Sequence, residues 1–105
     1  MALEGKTVND AARNYVDSVR RVLPVDKAYL FGSYAKGNAT AQSDVDICFF
    51  LESFGDKRRV DIIRELISLT RGYKGIYFEP LAFPSAEINN DNPFVKEILR
   101  TGKEI

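Results

Sequence analysis

Apolar residues recur every three or four positions in three segments of the chain, which predicts helices with one buried face. The first predicted helix starts near Thr7 and ends before Pro24, which cannot continue it. The second covers Lys57–Arg71. A short third helix follows Asn92, whose side chain can cap it, and ends at Gly102. Such helices need a common core against which to bury their apolar faces.

Three further segments are short and rich in β-branched and aromatic residues, which predicts strands. They cover Lys27–Phe31, Asp44–Leu51 and Gly75–Phe83. The second is apolar on both faces beyond its first residues, as a central strand requires, whereas Pro80 places the third at a sheet edge. Residues 32–43, between the first two strands, are polar and show no apolar period. The predicted order is therefore α-β-(turn or short α)-β-α-β-α, an α/β (α+β) arrangement.

The size and composition of the chain fit one small domain. Its 105 residues are 45% apolar and 29% charged, enough for a single core, so residues 1–105 are predicted to form one domain. Fifteen Lys and Arg against fifteen Asp and Glu give zero formal charge, which argues against binding nucleic acid mainly through its phosphates. The chain has neither a signal-peptide pattern nor an apolar run long enough for a membrane span. We expect a protein of the reducing cytoplasm.

Several kinds of catalytic site are excluded because the chain has no histidine. Zinc sites built on imidazole and Ser-His-Asp or Cys-His catalysis both need that residue. The single cysteine, Cys48, lies in an apolar run, which is typical of a buried small residue rather than of a nucleophile. Any chemistry must therefore use carboxylates, hydroxyls or amines.

Asp44 and Asp46 are the first candidates for such chemistry. Two positions apart on a strand, their carboxylates project from one face about 6–7 Å apart along the chain, where their charges repel. A proton or a cation relieves such repulsion, and hard oxygen ligands favour Mg²⁺ or Mn²⁺. The alternative is that the pair is only the solvated start of a strand.

Gly32 and Ser33, shortly upstream, add a candidate phosphate site. A glycine can adopt a positive φ and leaves room for backbone N–H groups to approach a phosphate, while the Ser33 hydroxyl adds a donor. The segment lacks the Lys-Ser/Thr pair that follows in a P-loop, so it is not one. A phosphate cradle followed by Asp44 and Asp46 favours a metal-dependent site for a phosphorylated substrate.

Gly32-Ser33, ten residues, then Asp44-Val45-Asp46 resembles the signature of the DNA polymerase β-like nucleotidyltransferases. The fuller run over residues 32–47 is similar in particular to the minimal nucleotidyltransferase group, small proteins often encoded beside a HEPN partner. The resemblance implies a three-stranded mixed sheet flanked by helices, which matches the element order predicted above.

The resemblance also implies a third carboxylate on the third strand, where Glu79 is the candidate in place of the commoner Asp. In that family scheme one metal ion, held by Asp44, Asp46 and Glu79, activates the acceptor hydroxyl. A second ion, held by Asp44 and Asp46, binds the triphosphate. Glu79 could instead simply solvate an edge strand.

The same resemblance implies that Gly32 and Ser33 bind the phosphates of an NTP. Lys36, in the same segment, is a further candidate phosphate ligand, although a lysine there is more often only solvated.

The resemblance implies as the expected function the transfer of a nucleoside monophosphate, AMP from ATP, onto a hydroxyl of a HEPN-type toxin, with this chain as the antitoxin. Nucleic acid and membrane partners are not expected. Two alternatives stay open: a non-catalytic antitoxin that acts by occluding its partner, and a transferase for a small molecule such as an aminoglycoside, completed by dimerisation. The sequence does not decide between homo- and hetero-oligomers.

Overall fold

The computed structural model describes residues 5–39 and 44–105. Its elements are α1 (Gly5–Arg20), β1 (Val25–Phe31), α2 (Ser33–Lys36), β2 (Val45–Leu51), α3 (Arg59–Ser68), β3 (Phe78–Pro84), a 3-10 helix (Ser85–Asn89), α4 (Pro93–Thr101) and β4 (Lys103–Glu104). The predicted α/β order is confirmed, including the short helix after the first strand. The 3-10 helix and β4 are additions, so the sheet has four strands rather than three.

The sheet is mixed, with the strand order β3-β2-β1-β4. β1 is antiparallel to both β2 and β4, whereas β2 and β3 are parallel. The end of β1 therefore lies beside the start of β2, and the start of β2 lies beside the start of β3. This edge of the sheet is formed by the ends of three strands and not by an outer strand. It carries Gly32, Asp44, Asp46 and Glu79.

The two faces of β2 contact different helices. The face with Ile47 and Phe49 packs with α1 and α3, and the face with Cys48 and Phe50 packs with α4. All four side chains are fully buried, which confirms the prediction of a central strand. Burial also raises the pKa of the Cys48 thiol to about 12, as expected for a cysteine that serves as a small apolar residue.

Tyr15 of α1 connects the helices on the larger face. Its hydroxyl donates to the Leu66 carbonyl oxygen of α3 at 2.7 Å. Its ring stacks on Phe78, with centroids 4.7 Å apart, and meets Phe49 edge to face. Burial raises the pKa of the Tyr15 phenol, and the nearby Tyr73 raises it further by a smaller amount. The buried hydroxyl is thus satisfied and fixes α1 against α3 and β3.

β3 is an outer strand of the sheet, as Pro80 predicts. The Val45 N–H donates to the Tyr77 carbonyl at 2.8 Å, so the backbone polar groups of residues 77 and 79 face β2. Those of Phe78 and Pro80 face away from the sheet. The missing N–H of Pro80 therefore costs no ladder hydrogen bond.

Two predicted boundaries move inward because tight turns replace regular structure. The second long helix is shorter than predicted, since the N–H groups of Leu69 and Thr70 bond three residues back and close it. β3 starts at Phe78 rather than Gly75, since a turn precedes it in which Gly75 has a φ of 78°. No described helix has the length and apolar character needed to cross a membrane.

Candidate active site at one edge of the sheet

The register of the strands brings Gly32, Asp46 and Glu79 to one edge of the sheet. Asp46 on β2 lies opposite Phe31, which directly precedes Gly32, and on its other side it lies opposite Glu79 of β3. Asp44 immediately precedes β2. The structure therefore places the two parts of the sequence motif and the candidate third carboxylate beside one another.

Gly32 fits against Asp46 because it has no side chain. Its φ is 74° and its ψ −150°, a conformation that L residues rarely adopt. A Cβ at this position would overlap the Asp46 carboxylate oxygen Oδ2 and lie 3.3 Å from Cγ. Glycine is thus required both by the turn and by the close approach of the backbone to the carboxylate.

The segment after Gly32 forms the short helix α2. The Lys36 N–H donates to the Gly32 carbonyl at 3.0 Å, and the Asn38 N–H donates to the Ser33 carbonyl at 3.0 Å. Gly37 ends the helix in the left-handed conformation. Ser33 is therefore in the first turn, where backbone N–H groups have no partner within the helix and can meet a ligand.

Asp46 is half-buried, and its surroundings favour the neutral acid. Burial, then the charges of Glu79 and Asp44, and then a hydrogen bond with the Glu79 side chain raise the pKa of Asp46 from 3.8 to about 6. These carboxylates therefore act on one another, although Asp44 and Glu79 themselves are exposed. The edge carries an excess of negative charge that a proton or a cation would relieve.

The donor chemistry of this edge fits a hard divalent cation. Carboxylate oxygens are the ligands that Mg²⁺ and Mn²⁺ prefer, and the raised pKa of Asp46 is the observation that favours a cation there. Among residues 5–39 and 44–105, no three His, Cys, Asp or Glu side chains are arranged as ligands of a single ion. The ligand set Asp44, Asp46 and Glu79, and the two ions, therefore stay predictions.

Lys36 lies at the exposed C-terminal end of α2. Its positive charge contributes, after the hydrogen bond from Arg100, to the lowered pKa of Glu97 on α4. The structure thus brings Lys36 near α4, on the sheet face to which Asp46 also belongs. Its role as a phosphate ligand stays a prediction.

Two cavities lie away from this edge. One, of about 120 Å³, lies between α1 and residues 103–105. The other, of about 260 Å³, lies between the end of α1 and the loop around Phe54. Neither is lined by Gly32, Asp46 or Glu79. Both cavities are therefore separate from the candidate site.

Sequence reasoning missed Tyr77. The residue precedes β3, is hydrogen-bonded through its backbone to Val45, and is 73% exposed. Its position two residues before Glu79 was visible in the sequence. An aromatic residue within a predicted strand, however, is more often part of the core, so the pattern gave no reason to single it out.

Comparison with known proteins agrees with this arrangement. The sequence profile of the family described as polymerase beta nucleotidyltransferase matches residues 15–105. The fold is similar to that of a Sulfolobus solfataricus protein provisionally assigned as a nucleotidyltransferase. That similarity has a TM-score of 0.62 and 22% identity, and covers 90% of this chain and 76% of the other.

The fold is also similar to that in a crystal structure of a toxin-antitoxin with AMP-PNP. That similarity has a TM-score of 0.52 and 17% identity, and covers 97% of this chain and 72% of the other. No curated protein sequence matches the chain significantly. At these identities the structural similarities support the fold, and the family profile, which spans most of the chain, supplies the assignment. The chain belongs to the polymerase beta nucleotidyltransferase family.

Proposed function

We propose that the protein is a metal-dependent nucleotidyltransferase that moves a nucleoside monophosphate, AMP from ATP, onto a hydroxyl group of a protein partner. One observation carries the proposal: the backbone at Gly32 lies directly against the Asp46 carboxylate, with Glu79 beside it in the sheet. A turn that can bind phosphates is thus in contact with a carboxylate cluster that can bind the cations of a nucleotide.

Each group has a role in the proposed reaction. The turn at Gly32 and Ser33 binds the β- and γ-phosphates, and Lys36 is a candidate for a further phosphate contact. Asp44, Asp46 and Glu79 hold Mg²⁺ or Mn²⁺. When bound, such ions neutralise the triphosphate and lower the pKa of the acceptor hydroxyl.

The reaction itself is an in-line displacement at the α-phosphorus. The acceptor oxygen forms a bond to the α-phosphorus, the bond to the bridging oxygen of pyrophosphate breaks, and the acceptor proton passes to a carboxylate or to water. The protein contributes mainly by positioning the reactants and by electrostatic stabilisation.

The proposed acceptor is a HEPN-type toxin, with this chain as its antitoxin. Two observations support a protein partner. The motif over residues 32–47 resembles the minimal nucleotidyltransferases, and the fold is similar to that in a structure of a toxin-antitoxin with AMP-PNP.

Calorimetry with AMP-PNP, a nonhydrolysable ATP analogue, tests the nucleotide and metal site. We expect the wild-type chain to bind it only when Mg²⁺ is present, and Asp44→Asn/Asp46→Asn to lose this Mg²⁺-dependent heat. Asp17→Asn, on the exposed face of α1, is the matched control and should bind as the wild type does. An unchanged Mg²⁺-dependent heat in the double variant would exclude these aspartates from the site.

The role of Glu79 needs a separate variant. Glu79→Gln removes a charge that helps to raise the pKa of Asp46, so that pKa should fall towards its usual range. If Glu79 also holds a metal ion, transfer should slow by about a hundredfold or more, the size of effect seen when one electrostatic group is lost from an active site. Transfer at the wild-type rate would place the third ligand elsewhere.

A further inference from the structure

Phe94, near the start of α4, is an aromatic residue that the fold leaves 46% exposed. Its backbone is fixed by the helix cap, because Asn92 Oδ1 accepts from the Phe94 and Val95 N–H groups at 3.0 and 3.3 Å. Val95 and Ile98 are buried and anchor the helix on the sheet face that carries Cys48. The exposed ring is therefore held on a fixed helix above that face.

The ring of Phe94 lies near the candidate active site. Its centroid is 6.1 Å from that of Phe31, and the two rings are perpendicular. Phe31 is the last residue of β1, lies opposite Asp46 and directly precedes Gly32. Directly opposite residues on neighbouring strands project from one face of a sheet. Phe94 and Asp46 are thus both neighbours of Phe31 on the same face.

A second contact shows on which side of the carboxylates the ring lies. The Phe83 centroid is also 6.1 Å from that of Phe94. Phe83 lies four residues after Glu79 on β3, away from the edge that carries the candidate site. A ring that contacts both Phe31 and Phe83 therefore lies over the interior of the sheet, behind the row formed by Phe31, Asp46 and Glu79.

The helix that follows Gly32 comes near the same part of α4. The hydrogen bond from Arg100 and, to a smaller extent, the charge of Lys36 hold the pKa of Glu97 below its usual range. Glu97 is three residues after Phe94 and therefore lies on the same side of α4. The segment that would bind phosphates and the helix that carries Phe94 are thus close to one another.

Four other large apolar side chains are exposed in the described part of the chain. Val60 and Ile67 belong to α3, which packs on the opposite face of the sheet, and Val22 precedes the far end of β1. Tyr77 precedes β3, which β2 separates from the strand that ends at the phosphate turn. Phe94, by contrast, contacts the strand that leads directly into that turn.

The geometry of the proposed reaction leaves the direction towards Phe94 free for the base. An in-line displacement places the leaving pyrophosphate and the acceptor on opposite sides of the α-phosphorus. Gly32 is on the β1 side of Asp46 and Glu79 is on its β3 side, so both reacting groups lie along the row of strand ends. The nucleoside leaves that line, and the interior of the sheet is the off-line direction that carries an exposed aromatic ring.

We propose that Phe94 is the residue on which the base of the bound nucleotide stacks. The inference rests on the proposed function. A base is joined to its α-phosphate by one ribose, and Phe94 is separated from Asp46 by a single shared neighbour, Phe31. An aromatic face binds a base through stacking, which every base can form because each has a flat π-face. Phe94 would thus supply affinity for the nucleoside, while the turn at Gly32 supplies affinity for the phosphates.

Calorimetry with two ligands separates base stacking from phosphate binding. AMP-PNP carries a base, whereas tripolyphosphate carries only phosphates, and Mg²⁺ is present with both. We expect Phe94→Leu, which keeps an apolar side chain against Phe31 and Phe83 but has no aromatic face, to bind AMP-PNP about tenfold more weakly. Its affinity for tripolyphosphate should be unchanged. Phe94→Trp should bind AMP-PNP at least as tightly as the wild type, because its aromatic face is larger.

Two further variants serve as controls. Ile67→Ala removes an exposed apolar side chain from the opposite face of the sheet and should bind both ligands as the wild type does. Tyr77→Ala removes the other exposed aromatic side chain near the site and should keep the wild-type affinity for AMP-PNP. Urea unfolding of each variant verifies that it is folded under the conditions of the assay.

Wild-type affinity for AMP-PNP in Phe94→Leu, equal losses of affinity for both ligands, or a loss in Tyr77→Ala in place of Phe94→Leu would each overturn the role of Phe94 but not the proposed function. Failure of the wild type to bind AMP-PNP with Mg²⁺ would instead overturn the proposed function on which the stacking site rests.

Discussion

Replacing Asp46 with asparagine should stabilise the folded chain at neutral and alkaline pH, although it removes a proposed metal ligand. The wild-type carboxylate is half-buried beside Glu79 and Asp44, and its pKa is raised from 3.8 to about 6. Asparagine has nearly the same shape and no charge. The variant therefore removes the cost of holding a charge at this position with little change in packing.

The pKa gives both the size and the sign of the effect. A pKa raised from 3.8 to about 6 corresponds to about 3 kcal/mol for a fully desolvated group. Because Asp46 is only half-buried and water screens the neighbouring charges, we expect about 1 to 1.5 kcal/mol. In the unfolded chain Asp46 loses its proton near pH 3.8, but in the folded chain only near pH 6. Folding stability from this group is therefore present below the first pH and lost as the pH rises through the second.

Urea unfolding without divalent cations measures this difference. The free energy of unfolding of Asp46→Asn should equal that of the wild type at about pH 3 and exceed it by about 1 to 1.5 kcal/mol at about pH 8. Asp17→Asn on the exposed face of α1 is the control and should show no such trend. A gap between Asp46→Asn and the wild type that does not change with pH, or a less stable variant at the higher pH, would refute the electrostatic account of the site.

Three further predictions concern the backbone and the packing. Gly32→Ala should cost about 2 kcal/mol or more, because it combines a positive φ with overlap on Asp46, and should abolish calorimetric binding of AMP-PNP; wild-type binding would contradict the close approach. Tyr15→Phe should lower the free energy of unfolding by about 1 kcal/mol, because the bond from the Tyr15 hydroxyl is lost while the Leu66 carbonyl keeps the bond from the Leu69 N–H, and an unchanged urea midpoint would argue against the tyrosine bond. Asn92→Ala should cost about 1 kcal/mol in the same assay, since it removes the cap of α4, whereas Asn92→Asp should retain most of the stability.

The sequence was sufficient to predict the central features of the fold because their patterns are local. Alternation along β2 placed Ile47 and Phe49 on one face and Cys48 and Phe50 on the other, and both faces are buried as expected. The position of Pro80 indicated an edge strand, and β3 is one. In each case, the chemistry of a few neighbouring residues restricts the backbone enough to decide the structure.

Other features depend on contacts between distant segments and were not predictable in this way. β4 has only two residues, Lys103 and Glu104, too few to show any period, and it forms because they meet β1 in the folded chain. The exposure of Tyr77 and the position of Lys36 near Glu97 likewise follow from the arrangement of β3 and α4.

The residues of the candidate site also differ in whether a local sequence pattern could predict them. Gly32, Asp44 and Asp46 could be named as candidates from their residue types and spacing, which left a merely solvated start of the strand as the alternative. Glu79 could be named only through the resemblance to a family, because nothing local distinguishes it from another exposed glutamate. The register between β2 and β3 then places it opposite Asp46.

The most direct test of the proposed activity is transfer of labelled AMP. The purified chain is incubated with Mg²⁺, α-labelled ATP and a lysate of its source cells, beside an Asp44→Ala/Asp46→Ala control. The proposal predicts a labelled protein that appears only with the wild type and whose size identifies the acceptor. Lanes that are equally labelled, or equally empty although the wild type binds AMP-PNP with Mg²⁺, would contradict transfer to a protein.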